Sequence, residues 1–346
     1  MKDKIFYNGN IITMTGENDT VEAVLIRNGK IEKTGSLSDV KGCSSQAELV
    51  NLDGKTLMPS FVDGHSHFAS IGKMEKTTVD LMDCKNFDEI VERIKAFIKK
   101  YNIPEGKVVS GRGYDHNELE EKTSPTKEIL DMASSKHPII VSHVSGHIGC
   151  VNTLALKLKG ITRETQYKEG GVICHDEQGE VTGVLEEGAF FDMRALAEKP
   201  SKEEEKELIL AGQEVYAKYG ITTVQNGGAY AADTKLLTEL AQEDKYKLDV
   251  VSYMMFAVTS KEEMEKYKEY QGKYVNHFKI GGYKLFMDGS PQCKTAWLSR
   301  PYEGEKEYCG YPILTDEQAL SYIQRAIDEN QQLLVHCNGD QASEQF

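Results

Sequence analysis

The sequence predicts an α/β protein built on a parallel sheet, either doubly wound or closed as a barrel. Three observations predict it. Helical and strand-like stretches alternate from about residue 215 onward. The first ~55 residues read instead as short strands around Asn-Gly pairs, a small β-domain outside that alternation. The length, 346 residues, is ordinary for an α/β barrel carrying additions.

Taken in order, IFYNGNIITM and VEAVLIRNGKIEKTG each centre on an Asn-Gly dipeptide, the strongest short hairpin signal, within a first domain of residues 1–58. LDGKTLMPS then leads into FVDGHSHF (61–68), expected as the first strand of a main domain, residues 59–346. Residues 69–214 interrupt the alternation as a large insertion, with KVVSGRGYD and PIIVSHVSGH as strands and GGVICHDEQGEVTGVLEEGAF as a hairpin. In SKEEEKE, Ser201 is expected to cap a helix whose first turn carries acids. The regular pattern follows. EEEKELILAGQEVYAKYG precedes ITTVQNGG, and TKLLTELAQED precedes LDVVSYMMF. KEEMEKYKEYQ precedes FKIGGYKLFMDGS, and DEQALSYIQRAIDEN precedes LLVHCNGD.

The totals exclude several classes. A net charge of −14 argues against non-specific nucleic-acid binding or attachment to an anionic membrane. No apolar run approaches the ~18–20 residues of a membrane span, and MKDKIFYNGNIITMTG lacks the form of a secretory signal. The seven cysteines (Cys43, Cys84, Cys150, Cys174, Cys293, Cys309 and Cys337) form no C-x-x-C pair, which reads as reduced thiols of a cytoplasmic protein. Neither a G-x-G-x-x-G after a strand nor a phosphate-binding loop is present, so nucleotide binding has no support.

Three places could carry chemistry. In a strand, residues i and i+2 share a face, so His65 and His67 would point the same way, with Asp63 in register. Imidazole is a common zinc ligand, but an isolated H-x-H is weak. Lys284, in GGYKLFMDGS, interrupts an apolar strand; it either faces water on an edge or is buried with a depressed pKa. A neutral amine can take up carbon dioxide, giving a carbamate able to bridge two metal ions. His336 ends the apolar strand of LLVHCNGD, as a metal ligand or as a hydrogen-bonded strand-end histidine. Cys337 beside it reads as an inert thiol.

LDGKTLMPSFVDGHSHF resembles the first barrel strand of the amidohydrolase superfamily. GITTVQNGG, LDVVSYM, GYKLFMDGS and LLVHCNGD resemble its second to fifth strands. The insertion, with GRGYDHNELEE, PIIVSHVSGHIGCVNTLAL and GVLEEGA, is similar to the family 3 amidohydrolases, a YtcJ-like branch that includes N-substituted formamide deformylases. Ser60, where glycine is more usual, is a small departure. The resemblance implies a (β/α)8 TIM barrel of the metal-dependent hydrolase type, with a small β-sandwich domain that residues 1–58 begin. It implies one or two divalent metals, zinc above all, with manganese, iron and cobalt open. His65 and His67 would bind the more buried ion, the Lys284 carbamate would bridge, and His336 would bind the second. Glu186 is a rival ligand to the carbamate, and Tyr114, His116, His143 and His147 are substrate-binding candidates. The implied reaction is hydrolysis of a non-peptide carbon–nitrogen bond, a linear amide or N-acyl group, by metal-activated hydroxide. A mononuclear deaminase-like enzyme, which would not need Lys284, and a non-catalytic binding protein are the alternatives. The expected partner is a small-molecule amide, with no nucleic acid and no membrane; a homo-oligomer is one open state.

The superfamily also uses a histidine from the sixth barrel strand and an aspartate, the general acid–base, from the eighth. The sequence reads as ending after strand five. Asp340 belongs to the loop of that strand and cannot replace the aspartate. The catalytic acid–base therefore has no assignment, and the expectation is a fragment of a longer enzyme with an open barrel edge.

Overall fold

A computed structural model describes residues 2–167, 170–197, 200–291 and 294–346, so Cys293 lies outside the described residues. The chain divides into two units, Met1–Asp63 with Gly220–Thr222, and Gly64–Tyr219 with Thr223–Phe346.

In the first unit, β1 (Lys4–Ile12) pairs antiparallel with β2 (Thr20–Arg27), and β2 with β3 (Lys30–Gly35). α1 (Leu37–Cys43) follows; β4 (Glu48–Asn51) and β5 (Thr56–Leu57) then run parallel to β1. The two Asn-Gly pairs behave differently. Asn28-Gly29 makes the β2–β3 turn, both residues with positive φ, 50° and 75°, as a primed hairpin turn requires. Asn8-Gly9 does not turn the chain and sits in an irregularity of β1, where the expected hairpin is replaced by a bulge. Lys55 explains this: its carbonyl would lie 2.4 Å from any Cβ on Gly9, so the chain is passing a neighbour rather than reversing. Ile5, Ala23, Leu25 and Val40 form the core. The two-residue β6 (Phe61–Val62) ends this unit, with the Phe61 N–H donating to the Gly220 carbonyl at 2.9 Å.

The second unit begins with a correction. FVDGHSHF is not one strand: Gly64 and His65 form a bend, and His67 caps α2 (Phe68–Thr77). The apolar pattern could not show this, because Phe68 is apolar for a different reason, as a wholly buried helix residue. The inserted region is a six-stranded sheet of order β11-β12-β10-β9-β8-β7. Its elements are β7 (Thr78–Asp80), α3 (Phe87–Tyr101), β8 (Val109–Tyr114), α4 (Lys127–Ala133), β9 (Ile139–His143) and β10 (Ile148–Val151). They continue with α5 (Thr153–Lys159), β11 (Gly171–His175), β12 (Val181–Glu187) and α6 (Gly188–Arg194). The predicted hairpin is β11–β12, paired antiparallel. Leu81, Ile90, Ile94, Leu119, Leu130 and Ile139 fill the space between this sheet and its helices.

α7 (Lys202–Lys218) starts at Ser201 with a full capping box: Ser201 Oγ accepts from the Glu204 N–H, and the Glu204 carboxylate accepts from the Ser201 N–H. The alternation follows: β13 (Ile221–Ala229), α8 (Ala231–Gln242), β14 (Asp249–Met255), α9 (Lys261–Glu265), β15 (Phe278–Phe286), α10 (Asp316–Asp328), β16 (Gln332–His336) and α11 (Asp340–Gln345). Strands β13 to β16 pair in sequence order, all parallel. KEEMEKYKEYQ yields only the short α9 and a 3₁₀ turn, because Tyr270 turns inward and is buried. Among the described residues this sheet has five strands and is open, with no closed barrel; an (β/α)8 barrel closes only with eight strands. No helix of the described residues is long and apolar enough to cross a membrane.

α2 and α7 cross at van der Waals contact through Gly72 and Gly212. A Cβ on Gly72 would lie 2.0 Å from the Leu208 carbonyl oxygen, a backbone atom that cannot move aside. Gly72→Ala is expected to destabilise the chain by about 1–3 kcal/mol in urea denaturation, as overpacking does. Gly42→Ala in α1, where an added Cβ meets nothing within 4 Å, should be neutral or slightly stabilising.

Candidate functional site

Two strand ends and one bend carry the candidate ligands of the first group. Lys284 lies near the end of β15, in register with Met255 of β14 and Leu334 of β16. The neighbouring strands leave it 2% exposed. Its Nζ stands 5.0 Å from the centre of the Phe286 ring, and no carboxylate of the described residues pairs with it. Burial pulls its pKa below the ordinary lysine range, with Cys337 acting weakly in the opposite direction.

His336 ends β16 opposite Phe286, with their rings 4.9 Å apart. One aromatic ring thus lies against both Lys284 and His336. The His336 Nε2 is 2.9 Å from the Gly289 carbonyl. Donation to that carbonyl puts the proton on Nε2 and leaves Nδ1 basic, the arrangement usual for a metal-binding histidine, although the Asn338 Nδ2 also lies 3.1 Å from Nε2 and fits the other tautomer. The Asn338 amide donates to the same carbonyl at 2.9 Å.

Sequence reasoning passed over Asp288. Its carboxylate is 1% exposed and accepts three backbone N–H groups: Trp297 at 2.9 Å, Asn338 at 2.9 Å and Gly339 at 2.6 Å. It therefore ties the segment after β15 to the segment after β16 and fixes where His336 emerges. Its signal was in plain view as the aspartate closing the apolar strand of KLFMDGS. Asp340 is spent on Ser299, whose N–H and hydroxyl it accepts.

His65 and His67 come from the bend, not from a strand face, yet their rings stand edge to face with centroids 5.5 Å apart. The bend is held to β13: the Gly227 N–H donates to the Ser66 carbonyl at 2.7 Å, and His67 bridges Asn226. Buried Asn226 accepts the Ala69 N–H, which anchors the start of α2. β13 is irregular at Gly227-Gly228, and at Gly227 there is no room for a side chain. A Cβ on Gly227 would come 2.7 Å from the His65 Cε1, and one on Gly228 would lie 3.9 Å from the Lys284 Cγ. One irregular dipeptide therefore lies against His65 and against Lys284.

The candidates of the inserted sheet form another group. Tyr114 is wholly buried, with its hydroxyl between Ser124 Oγ (3.1 Å) and Cys150 Sγ (3.0 Å) and its ring edge-on to His143. The ligand atoms of Asp115, His116 and His143 lie within 4.8 Å of one another. His147 is exposed and its Nδ1 is 3.1 Å from the Glu187 carboxylate. Glu187 holds φ 49°, ψ −126°, a conformation costly for a residue with a Cβ. Glu186 stands in β12 opposite Ile148, with Cys174 Sγ 3.9 Å from its carboxylate.

Comparison with known proteins agrees with this arrangement of elements. The profile of the amidohydrolase family matches residues 48–346. The chain is 29% identical over 348 residues to the putative amidohydrolase YtcJ of Bacillus subtilis, covering 98% of this chain and 64% of that one. An N-substituted formamide deformylase of Arthrobacter pascens is 32% identical over 195 residues, covering 55% of this chain and 35% of that protein. An uncharacterized metal-dependent hydrolase of Pyrococcus furiosus has a similar crystal structure, with 27% identity and a TM-score of 0.71 over 99% of this chain and 68% of that one. The chain spans 60–64% of the length of the first curated relatives it matches.

The burial of Lys284 has a pH signature. Because its folded pKa is lowered, the unfolded chain binds more protons between that value and about 10.4, so stability should rise with pH through this window. Lys284→Met removes the titrating group. It should raise stability at neutral pH and flatten that rise, read by chemical denaturation across the range.

Proposed function

This chain belongs to the amidohydrolase family, and from that premise we propose that it is a metal-dependent hydrolase of a non-peptide carbon–nitrogen bond, a linear amide or N-acyl group. His65, His67, Lys284 and His336 are the proposed metal-holding residues. Lys284 carries the reading, as a buried amine with lowered pKa and no partner carboxylate. A neutral amine adds to carbon dioxide, forming a nitrogen–carbon bond and releasing one proton, and the carbamate is an anion with two ligand oxygens. The donor set fits a divalent ion: imidazoles suit zinc, and His336 already gives its Nε2 proton to Gly289, leaving Nδ1 to bind. A bound ion lowers the pKa of water and polarises the scissile carbonyl.

The remaining work falls to the chain itself. The Ser66–Gly227 and His67–Asn226 contacts set the histidine pair against β13, and Asp288 holds the segment from which His336 projects. His147 with Glu187, exposed and on a strained residue, is assigned to contact with substrate. The choice of a carbon–nitrogen bond draws support from the formamide deformylase relative.

The test is hydrolysis of a panel of N-formyl and N-acyl amines by the metal-loaded chain and by its His65→Asn, His336→Asn and Lys284→Met variants. The reading expects turnover by the wild type and losses of roughly 10²-fold or more in each variant, the scale of several kcal/mol of lost transition-state stabilisation. Turnover unchanged in folded Lys284→Met would remove the carbamate. Turnover unchanged in all three would remove the site.

A further inference from the structure

We propose that Asp115, His116 and His143 form an additional divalent-cation site, built wholly within the inserted sheet from the end of β8, the residues after it and the end of β9. None of the three serves in the metal set proposed above, so this site stands or falls by itself.

The geometry is that of a pocket for a small cation. One ligand atom from each residue lies within 4.8 Å of the other two. The His116 Nδ1 and the His143 Nε2 are both buried and have no hydrogen-bond partner. Unpaired buried polar atoms each cost about 1–3 kcal/mol, a cost that coordination of a cation would offset. The His143 side chain is only 8% exposed, so its ring is largely removed from bulk solvent. Asp115 Oδ1 is 3.4 Å from the His143 Nε2 without a hydrogen bond between them. Two ligands of one tetrahedral zinc at ~2.0–2.1 Å bonds stand about 3.3 Å apart, the same spacing.

The chemistry of the donors agrees. The Asn117 backbone and side-chain N–H groups hold the Asp115 carboxyl below its ordinary range, so it is ionised at neutral pH. Burial, and then the neighbouring His116, push the His143 pKa down, so it is a neutral imidazole. Coordination through Nε2 places the ring proton on Nδ1, and Ser145 Oγ, 2.9 Å away, accepts it. Nδ1 also lies 3.1 Å from the Ser145 N–H, a contact that fits the other tautomer, so metal binding through Nε2 exchanges it for the Ser145 Oγ bond. Two imidazoles and a carboxylate suit Zn²⁺, Co²⁺ or Ni²⁺ over Ca²⁺ or Mg²⁺, and three protein ligands leave a fourth position for water or a small anion.

Cobalt binding tests this, by equilibrium dialysis and visible d–d absorption, in a His65→Asn/His67→Asn/His336→Asn background that removes the other imidazoles. The expected result is one Co²⁺ per chain with a tetrahedral spectrum. Adding His116→Gln should weaken it at least 10-fold, and Ser145→Ala by about 10–100-fold, as loss of a supporting hydrogen bond does. Wild type that binds more ions than this background supports both sites; equal single occupancy supports this site and overturns the other. A folded triple variant that binds no cobalt, or binding indifferent to His116→Gln, overturns the proposal. Should the triple variant not fold, His116→Gln in the wild-type chain must lower the bound cobalt by one equivalent, and unchanged stoichiometry overturns it.

Discussion

A lysine amine buried in a parallel sheet without a carboxylate is the constraint around which this region is arranged. Burying a charge unpaired is expensive, so the group is driven toward its neutral form. A neutral amine at a strand end is chemically useful. The neighbours of Lys284 follow from its position: Phe286 lies against its Nζ and also meets His336, and the irregularity of β13 passes His65 on one residue and Lys284 on the next. Strand order, through β13, β14, β15 and β16, sets these neighbours before any side chain does.

Backbone hydrogen bonds hold the surrounding segments more than side-chain pairing does. Asp288 takes three N–H groups from residues 9, 50 and 51 positions along the chain, closing two post-strand segments onto one carboxylate. The bend of His65 and His67 is held in the same manner, through Ser66 to Gly227 and through Asn226 to Ala69. Such anchors position a site on rigid elements, as precise ligand placement requires.

Local chemistry made much of this legible in the sequence. The α7 capping box lies within four residues, and Lys284 stands out as a lysine in a largely apolar strand. What depended on distant partners was not legible. Asn8-Gly9 and Asn28-Gly29 are the same dipeptide, and only Lys55 distinguishes bulge from turn. FVDGHSHF hid a strand of two residues, a bend and a helix start, because its apolar residues sit at its two ends and Phe68 is apolar as a buried helix residue. The (β/α)8 barrel was an inference from resemblance, and the five-stranded sheet of the described residues is open. Asp288 was visible as the aspartate closing an apolar strand, but its role was not, because two of the N–H groups it accepts lie 50 and 51 residues away. The grouping of Asp115, His116 and His143 needed the register of β8 beside β9, which pairs Tyr114 with His143.

The most direct measurement is ¹³C NMR of the chain equilibrated with ¹³C-bicarbonate and excess divalent metal, together with the bound-metal count. A carbamate resonance present in the wild type, absent in Lys284→Met and accompanied by metal is the predicted result. Metal bound at His65, His67 and His336 with an unlabelled Lys284 would contradict it.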